Sequence, residues 1–199
     1  MAKAAVKSSS SGGGGGGSVT TIFPSLGIRV AVAPVPSGFK HHCFFTHDWG
    51  KDELGRDNHK TCMRVYQSLT ALGFKIWFDE IMMEGSIVHQ MVSGIDSSAL
   101  VMVGITQRYI EKVGGDNKND NCKVEFGYAQ RKKSASKMIA VPMESRCKTP
   151  SDWSGPVGMF LGGELYVADF AYNIDARSEL YEDNIRKLAE RITTLCNRL

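Results

Sequence analysis

Glu125 stands between a valine and a phenylalanine in "NDNCKVEF" (119–126), the place along the chain where a carboxylate is best placed to do chemistry. Cys122, Phe126 and Ala129 recur there at i, i+4 and i+7, the stripe of a helix spanning 121–133. At roughly 100° per residue, Glu125 lies about 60° from Cys122 and about 40° from Ala129, so it borders the buried face rather than opposing it. Such a carboxylate either bonds a Lys or Arg at the edge of the stripe or stands at the rim of a pocket, where it can act on a ligand. Two other polar clusters follow apolar runs and could share that pocket. One is Thr46, His47, Asp48 and Trp49; the other runs from Asp79 to Gly85 and includes Glu84.

Other motifs for site chemistry fail on their own terms. "DNKNDN" (116–121) has no glycine at the turn and no closing acid, so it is not a calcium loop. The poly-Gly run satisfies a nucleotide-binding glycine pattern trivially, with no strand before it and no helix after it. The five cysteines include no CxxC pair and no Cys/His spacing of the zinc kind. Reduced thiols, no metal and a cytoplasmic location are therefore expected.

The elements that must position these residues alternate in type. "HCFFT" (42–46) reads as a first strand, and Cys62, Val65, Tyr66, Leu69 and Leu72 as a helix that stops at Gly73. "FKIWF" (74–78) is a second strand, with Trp77 read as packing. Ser86 can cap a helix bearing Ile87, Val88, Met91, Val92 and Ile95. "ALVMVGI" (99–105) is a continuous apolar run, as in a strand covered on both faces. "MIAVPM" (138–143) is a fourth strand, "ELYVADF" (164–170) a fifth at the edge, and Tyr181, Ile185, Leu188, Ile192 and Leu195 face one side of a last helix. Strands alternating with helices predict an α/β fold with a flavodoxin-like parallel sheet of five strands, order 2-1-3-4-5, and helices on both faces. In that order a ligand crevice opens beyond strands one and three. Thr46–Trp49 and the segment 106–121 that leads to Glu125 both flank it, with 79–85 next door.

Composition bounds the rest. The 199 residues are 42% hydrophobic and 23% charged, which suits one globular domain. No apolar run approaches a membrane span, so no membrane partner is expected. Residues 1–47 contain Lys3, Lys7, Arg29 and Lys40 but no acid, so the net charge of +3 belongs to the N-terminal stretch. The nearly neutral remainder gives no basic groove, and nucleic acid is not an expected partner. Residues 1–37, with "SSSSGGGGGGS" (8–18), read as a disordered Ser/Gly-rich tail, and 38–199 as the folded domain. An acid-free, Ser-rich start also fits an organellar transit peptide, although this one is poor in Arg and lacks an amphipathic helix.

The ordered set of "CFFTHDW", "GFKIWFDE", "MMEGSIVHQMVSGIDSSALVMVGITQRYI" and "NCKVEF" resembles a Toll/interleukin-1 receptor (TIR) domain over about residues 40–199. Thr46, Asp79, Glu84-Gly85, "GIDSS" and the Cys-x-x-Glu of the third predicted helix carry the resemblance. Some TIR domains are protein–protein signalling modules and others cleave NAD+ with one glutamate on that helix, which here is Glu125. The resemblance thus implies an NAD+ glycohydrolase that needs no cofactor and yields nicotinamide with ADP-ribose or a cyclic isomer, in a signalling, immune or cell-death role. The alternative it leaves open is a non-catalytic adaptor working by TIR–TIR assembly.

By position, Thr46, His47, Asp48 and Trp49 would border nicotinamide and its ribose, with Asn121 and Cys122 beside Glu125. Asp79 and Glu84 would lie in the loop after the second strand, and Ile87 where the animal enzyme has an aromatic lid residue. Two departures stand out. The plant pattern has Trp before the Cys where this chain has Asn121, leaving Trp49 as the aromatic available for that role. The animal enzyme also has two arginines after its first strand where this chain has Asp48 and Trp49, so its phosphate contacts do not carry over. Self-association with other TIR domains is implied too, because in the family the loop after the second strand completes a neighbour's site.

Overall fold

A computed structural model describes residues 19–22, 29–78, 87–171 and 178–199. Strands β1 (Val19–Ile22) and β2 (Arg29–Val32) form an antiparallel ribbon, with Val19 opposite Val32 and Ile22 opposite Arg29. Residues 29–37 are therefore not a free tail. Val30 and Ala33 are buried in the core, and Thr193 Oγ1 donates to the Ala31 carbonyl at 2.8 Å. The Ser/Gly run at 8–18 lies outside the described residues.

The main body alternates strand and helix: β3 (His41–Thr46), α1 (Asn58–Ala71), β4 (Ile76–Trp77), α2 (Ile87–Asp96) and β5 (Ser98–Ile105). It continues through α3 (Gln107–Gly114), α4 (Asn121–Lys132), β6 (Met138–Pro142), α5 (Gly155–Leu161) and α6 (Glu179–Cys196). The sheet order is β4-β3-β5-β6, all parallel, with Phe44 level with Trp77 and Val101. Every residue of β5 is buried, because helices cover both faces of the sheet. The pleat then sorts its side chains by parity. Leu100 and Met102 pack with Cys43, Phe45, Leu69, Ile185 and Leu188 on the α1/α6 side. Val101, Val103 and Ile105 pack with Phe44, Met91, Tyr109, Phe126 and Val157 on the other.

Local signals set the helix ends. Asp57 caps α1 by accepting from Lys60 N–H, and Gly73 ends it at φ +101°, a conformation that a side chain disfavours. Trp77 packs in the core, its ring stacked 4.4 Å from Phe44. A Cβ at Gly94 of α2 would come within 2.6 Å of the Trp77 ring, so only glycine lets that helix lie so close to the sheet.

Two segments differ from expectation. The fifth strand does not form: residues 164–170 run past the end of β6 and contribute one backbone bond there, from Phe170 N–H to the Pro142 carbonyl at 2.9 Å. Pro142 has no N–H to return, and Asn184 Nδ2 takes the Asp169 carbonyl at 2.7 Å, so no ladder is built. Ala168 and Phe170 are nonetheless buried, while Leu165 is 88% exposed. The second difference is α3, a helix within the stretch read as a connection. Thr106 caps it by accepting from Tyr109 N–H at 3.0 Å.

Beyond β6, Glu144 is fully buried and joins three segments. It accepts from the backbone N–H of Glu53 (3.0 Å) and of Gln107 (3.1 Å), the first residue of α3. Arg146 Nε donates to it at 2.7 Å.

Candidate active site

The winding of the sheet reverses between β3 and β5, so the segments that leave their carboxyl ends part and open a crevice. The turn after β3 is fixed by Asp48. Its side chain is buried and pairs with Lys112 Nζ at 2.6 Å and Arg108 Nε at 2.9 Å, both on α3. It also accepts from Gly50 N–H at 2.8 Å, and its carbonyl accepts from Asn58 Nδ2 of α1 at 2.7 Å. Burial pushes the Asp48 carboxyl up, but Lys112, Arg108 and the Gly50 N–H outweigh it and hold it below its ordinary range.

That shift sets a pH dependence. A carboxyl whose folded pKa is depressed contributes stability above its unfolded pKa and loses it as pH falls through the folded one. Asp48→Asn is therefore expected to cost about 1–3 kcal/mol near pH 7. Urea unfolding of both proteins should show the gap narrowing as pH drops below the ordinary aspartate value of about 3.9.

The crevice is a cleft of about 460 Å³. Glu125 and Cys122 of α4 line it, with Asn121 at the helix start. Asp120 caps α4 by accepting from Cys122 N–H at 2.9 Å, and Asn117, Asn119 and Asp120 form the adjoining rim. Lys112 of α3 and Met91 of α2 add an ammonium and an apolar contact. His47 and Trp49 complete the lining from the turn after β3.

Glu125 is 6% exposed, and its Oε2 accepts a hydrogen bond from Thr46 Oγ1 at the end of β3. Thr46 Oγ1 also lies 3.2 Å from the Tyr109 hydroxyl. Cys122 Sγ donates to the His47 carbonyl at 3.6 Å, and burial first, then the Glu125 charge, push its thiol far above the ordinary range. Cys122 is thus a protonated wall residue and not a thiolate nucleophile. On the opposite wall the Trp49 ring is half exposed and stacks 3.9 Å from His59. His59 Nδ1 lies 2.7 Å from His47 Nε2, which braces the aromatic wall from behind.

Of the residues expected at the site, His47, Trp49, Asn121, Cys122 and Glu125 line the cleft together. Thr46 and Asp48 do not line it. Both are buried behind the wall, one bonded to Glu125 and the other ion-paired to α3. Asp79, Glu84 and the side chain of Ile87 lie outside the described residues. Sequence reasoning missed Lys112, Met91, Asn117, Asn119 and Asp120 as lining residues. Lys112 had a usable signal: Thr106 as a cap followed by Tyr109, Ile110 and Val113 on one face. All five cysteines are free and buried, and no cluster able to hold a metal occurs among the described residues. No helix among the described residues is long and apolar enough to cross a membrane.

A family model described as TIR domain matches residues 55–189, more than half of the chain, and begins after the Thr46–Trp49 turn. No curated protein matches the chain.

Proposed function

The chain belongs to the TIR domain family, and from that premise we propose that it cleaves the bond between nicotinamide and ribose in NAD+. The supporting observation is the buried Glu125 carboxylate in the lining of a cleft of about 460 Å³.

A lone carboxylate suits this substrate. Glycosidases commonly use two carboxylic acids, one of them to protonate the leaving group. Nicotinamide in NAD+ is already cationic and departs as a neutral base, so no general acid is needed. What remains is an oxocarbenium-like ribose. Glu125, itself 6% exposed, stabilises the charge developing at that carbon. Trp49 offers a flat face for stacking a ring, and Lys112, anchored on Asp48, is the ammonium available to the diphosphate. Attack by water on the ribose carbon gives ADP-ribose, and attack by an adenine nitrogen gives a cyclic isomer. The product would serve a signalling, immune or cell-death role in the cytoplasm.

TIR domains generally self-associate, and by analogy with the family the loop after the second strand (80–86) would complete the site of a neighbouring copy. Specific activity is therefore expected to rise with protein concentration. Chromatographic measurement of nicotinamide release across a dilution series tests this. A rate strictly proportional to concentration would remove the assembly requirement. Absence of release at every concentration would leave a TIR module that works as an adaptor.

A further inference from the structure

Behind Glu125 the hydroxyls of Thr46 and Tyr109 form a chain whose direction is fixed by counting protons. An ionised carboxylate only accepts hydrogen bonds. Thr46 Oγ1, bonded to Glu125 Oε2, therefore spends its single proton on that carboxylate. Toward Tyr109 it can then act only as an acceptor, so the phenol must donate across the 3.2 Å contact. Tyr109 is suited to this. Burial, then the nearby Cys122, push its hydroxyl well above the ordinary range, so it keeps its proton.

The far end of the chain is rigid. Tyr109 is fully buried, its ring meets Phe126 edge-on with centroids 6.4 Å apart, and its N–H is fixed by the Thr106 cap. Tyr109 sits in the first turn of α3, Thr46 at the last residue of β3 and Glu125 in α4. The chain thus ties three elements together, with Tyr109 reaching the carboxylate through Thr46. A residue serving only the core would need no hydroxyl here, since phenylalanine would fill the same space.

Resting on the NAD+-cleaving reading, we propose that Tyr109 is a positioning residue: acting through Thr46, it orients the Glu125 carboxylate toward the cleft and favours its charged form. A donor chain aimed at the charged form of an acid opposes protonation, and a donor that is itself hydrogen-bonded gives its proton more strongly. The 3.2 Å link is the weaker of the two, so Thr46 should matter more than Tyr109.

The test compares wild type with Tyr109→Phe, Thr46→Val and Thr46→Ser, recording pH–rate profiles for nicotinamide release. Tyr109→Phe is expected to lower kcat by about tenfold, the size of one hydrogen-bond contribution, and to move the acidic limb to higher pH. Thr46→Val should move it further, and Thr46→Ser, which keeps the hydroxyl, should restore it. A merely structural role would lower the active fraction in Tyr109→Phe and leave the limb in place, and that result overturns the proposal. If wild type releases no nicotinamide, the NAD+ reading fails separately. The side-chain carboxyl of Glu125, followed by carbon NMR in wild type and Tyr109→Phe, then decides: a titration shifted upward in the variant supports the chain, and an unchanged one overturns it.

Discussion

Replacing Glu125 by glutamine should reduce nicotinamide release by about a hundredfold to a thousandfold and leave the fold intact. Glutamine has nearly the shape of glutamate, and its carbonyl oxygen can still accept from Thr46. What it lacks is the negative charge that, in the proposed reaction, faces the developing oxocarbenium ion. Removing one preorganised electrostatic partner of a transition state costs about 2.7–4 kcal/mol, which is the basis of that range. The loss belongs in kcat, because the ribose carbon acquires its charge only on the way to the transition state. Folding should survive, since Cys122, Phe126 and Ala129 anchor α4 through the adjoining stripe. Steady-state kinetics beside a thermal melt check both halves. A variant that melts like wild type and turns over like it would reduce Glu125 to an ordinary residue at the helix edge.

The second large effect is on stability, at a carboxylate that does no chemistry. Glu144→Ala should destabilise the protein by about 1–3 kcal/mol, the range for leaving hydrogen-bonding groups without their partner. Two backbone N–H groups, those of Glu53 and Gln107, lose the buried carboxylate that accepts from them. Arg146 loses its partner too, but its side chain is 46% exposed and can rehydrate, so it adds less. Arg146→Ala should therefore cost far less than Glu144→Ala, and comparing urea midpoints of the two separates the contributions. Because Gln107 opens α3, the same change should loosen the helix that carries Tyr109 and Lys112 to the cleft. Equal midpoints for wild type and Glu144→Ala would mean that the 50–57 loop and the start of α3 are held by other contacts.

The contrast between these two glutamates bears on what a sequence can reveal. Glu125 was legible because a helical stripe has a fixed period, which placed it at the border of the buried face before any fold was known. The predicted sheet order put Thr46 at the same crevice but did not reveal the hydrogen bond between the two, which lie 79 residues apart and meet only through the parallel sheet. The central strand β5 was equally plain, as the last seven of its eight buried residues form an unbroken apolar run. "ELYVADF" misled because it carries the composition of a strand without the means to pair. Its Ala168 and Phe170 do enter the core, yet the neighbouring strand ends at a proline with no N–H. Residues 29–37 misled in the opposite sense. Their prolines and the glycine run before them suggested a tail, while Val30 and Ala33 pack beside α6. The Asn117–Asn119 rim stayed hidden because a polar loop looks alike whether it meets open solvent or lines a cleft.

One incubation decides whether the cleft is an active site. Concentrated wild-type protein is given NAD+ and, in parallel, its reduced form NADH, beside Glu125→Gln, and released nicotinamide and its partner product are separated and quantified. The cationic ring of NAD+ can leave as a neutral base and the uncharged ring of NADH cannot. Nicotinamide released from NAD+ alone, and by wild type far faster than by the variant, is the predicted result. No release from NAD+ by concentrated wild type, or equal release by the variant, would contradict it.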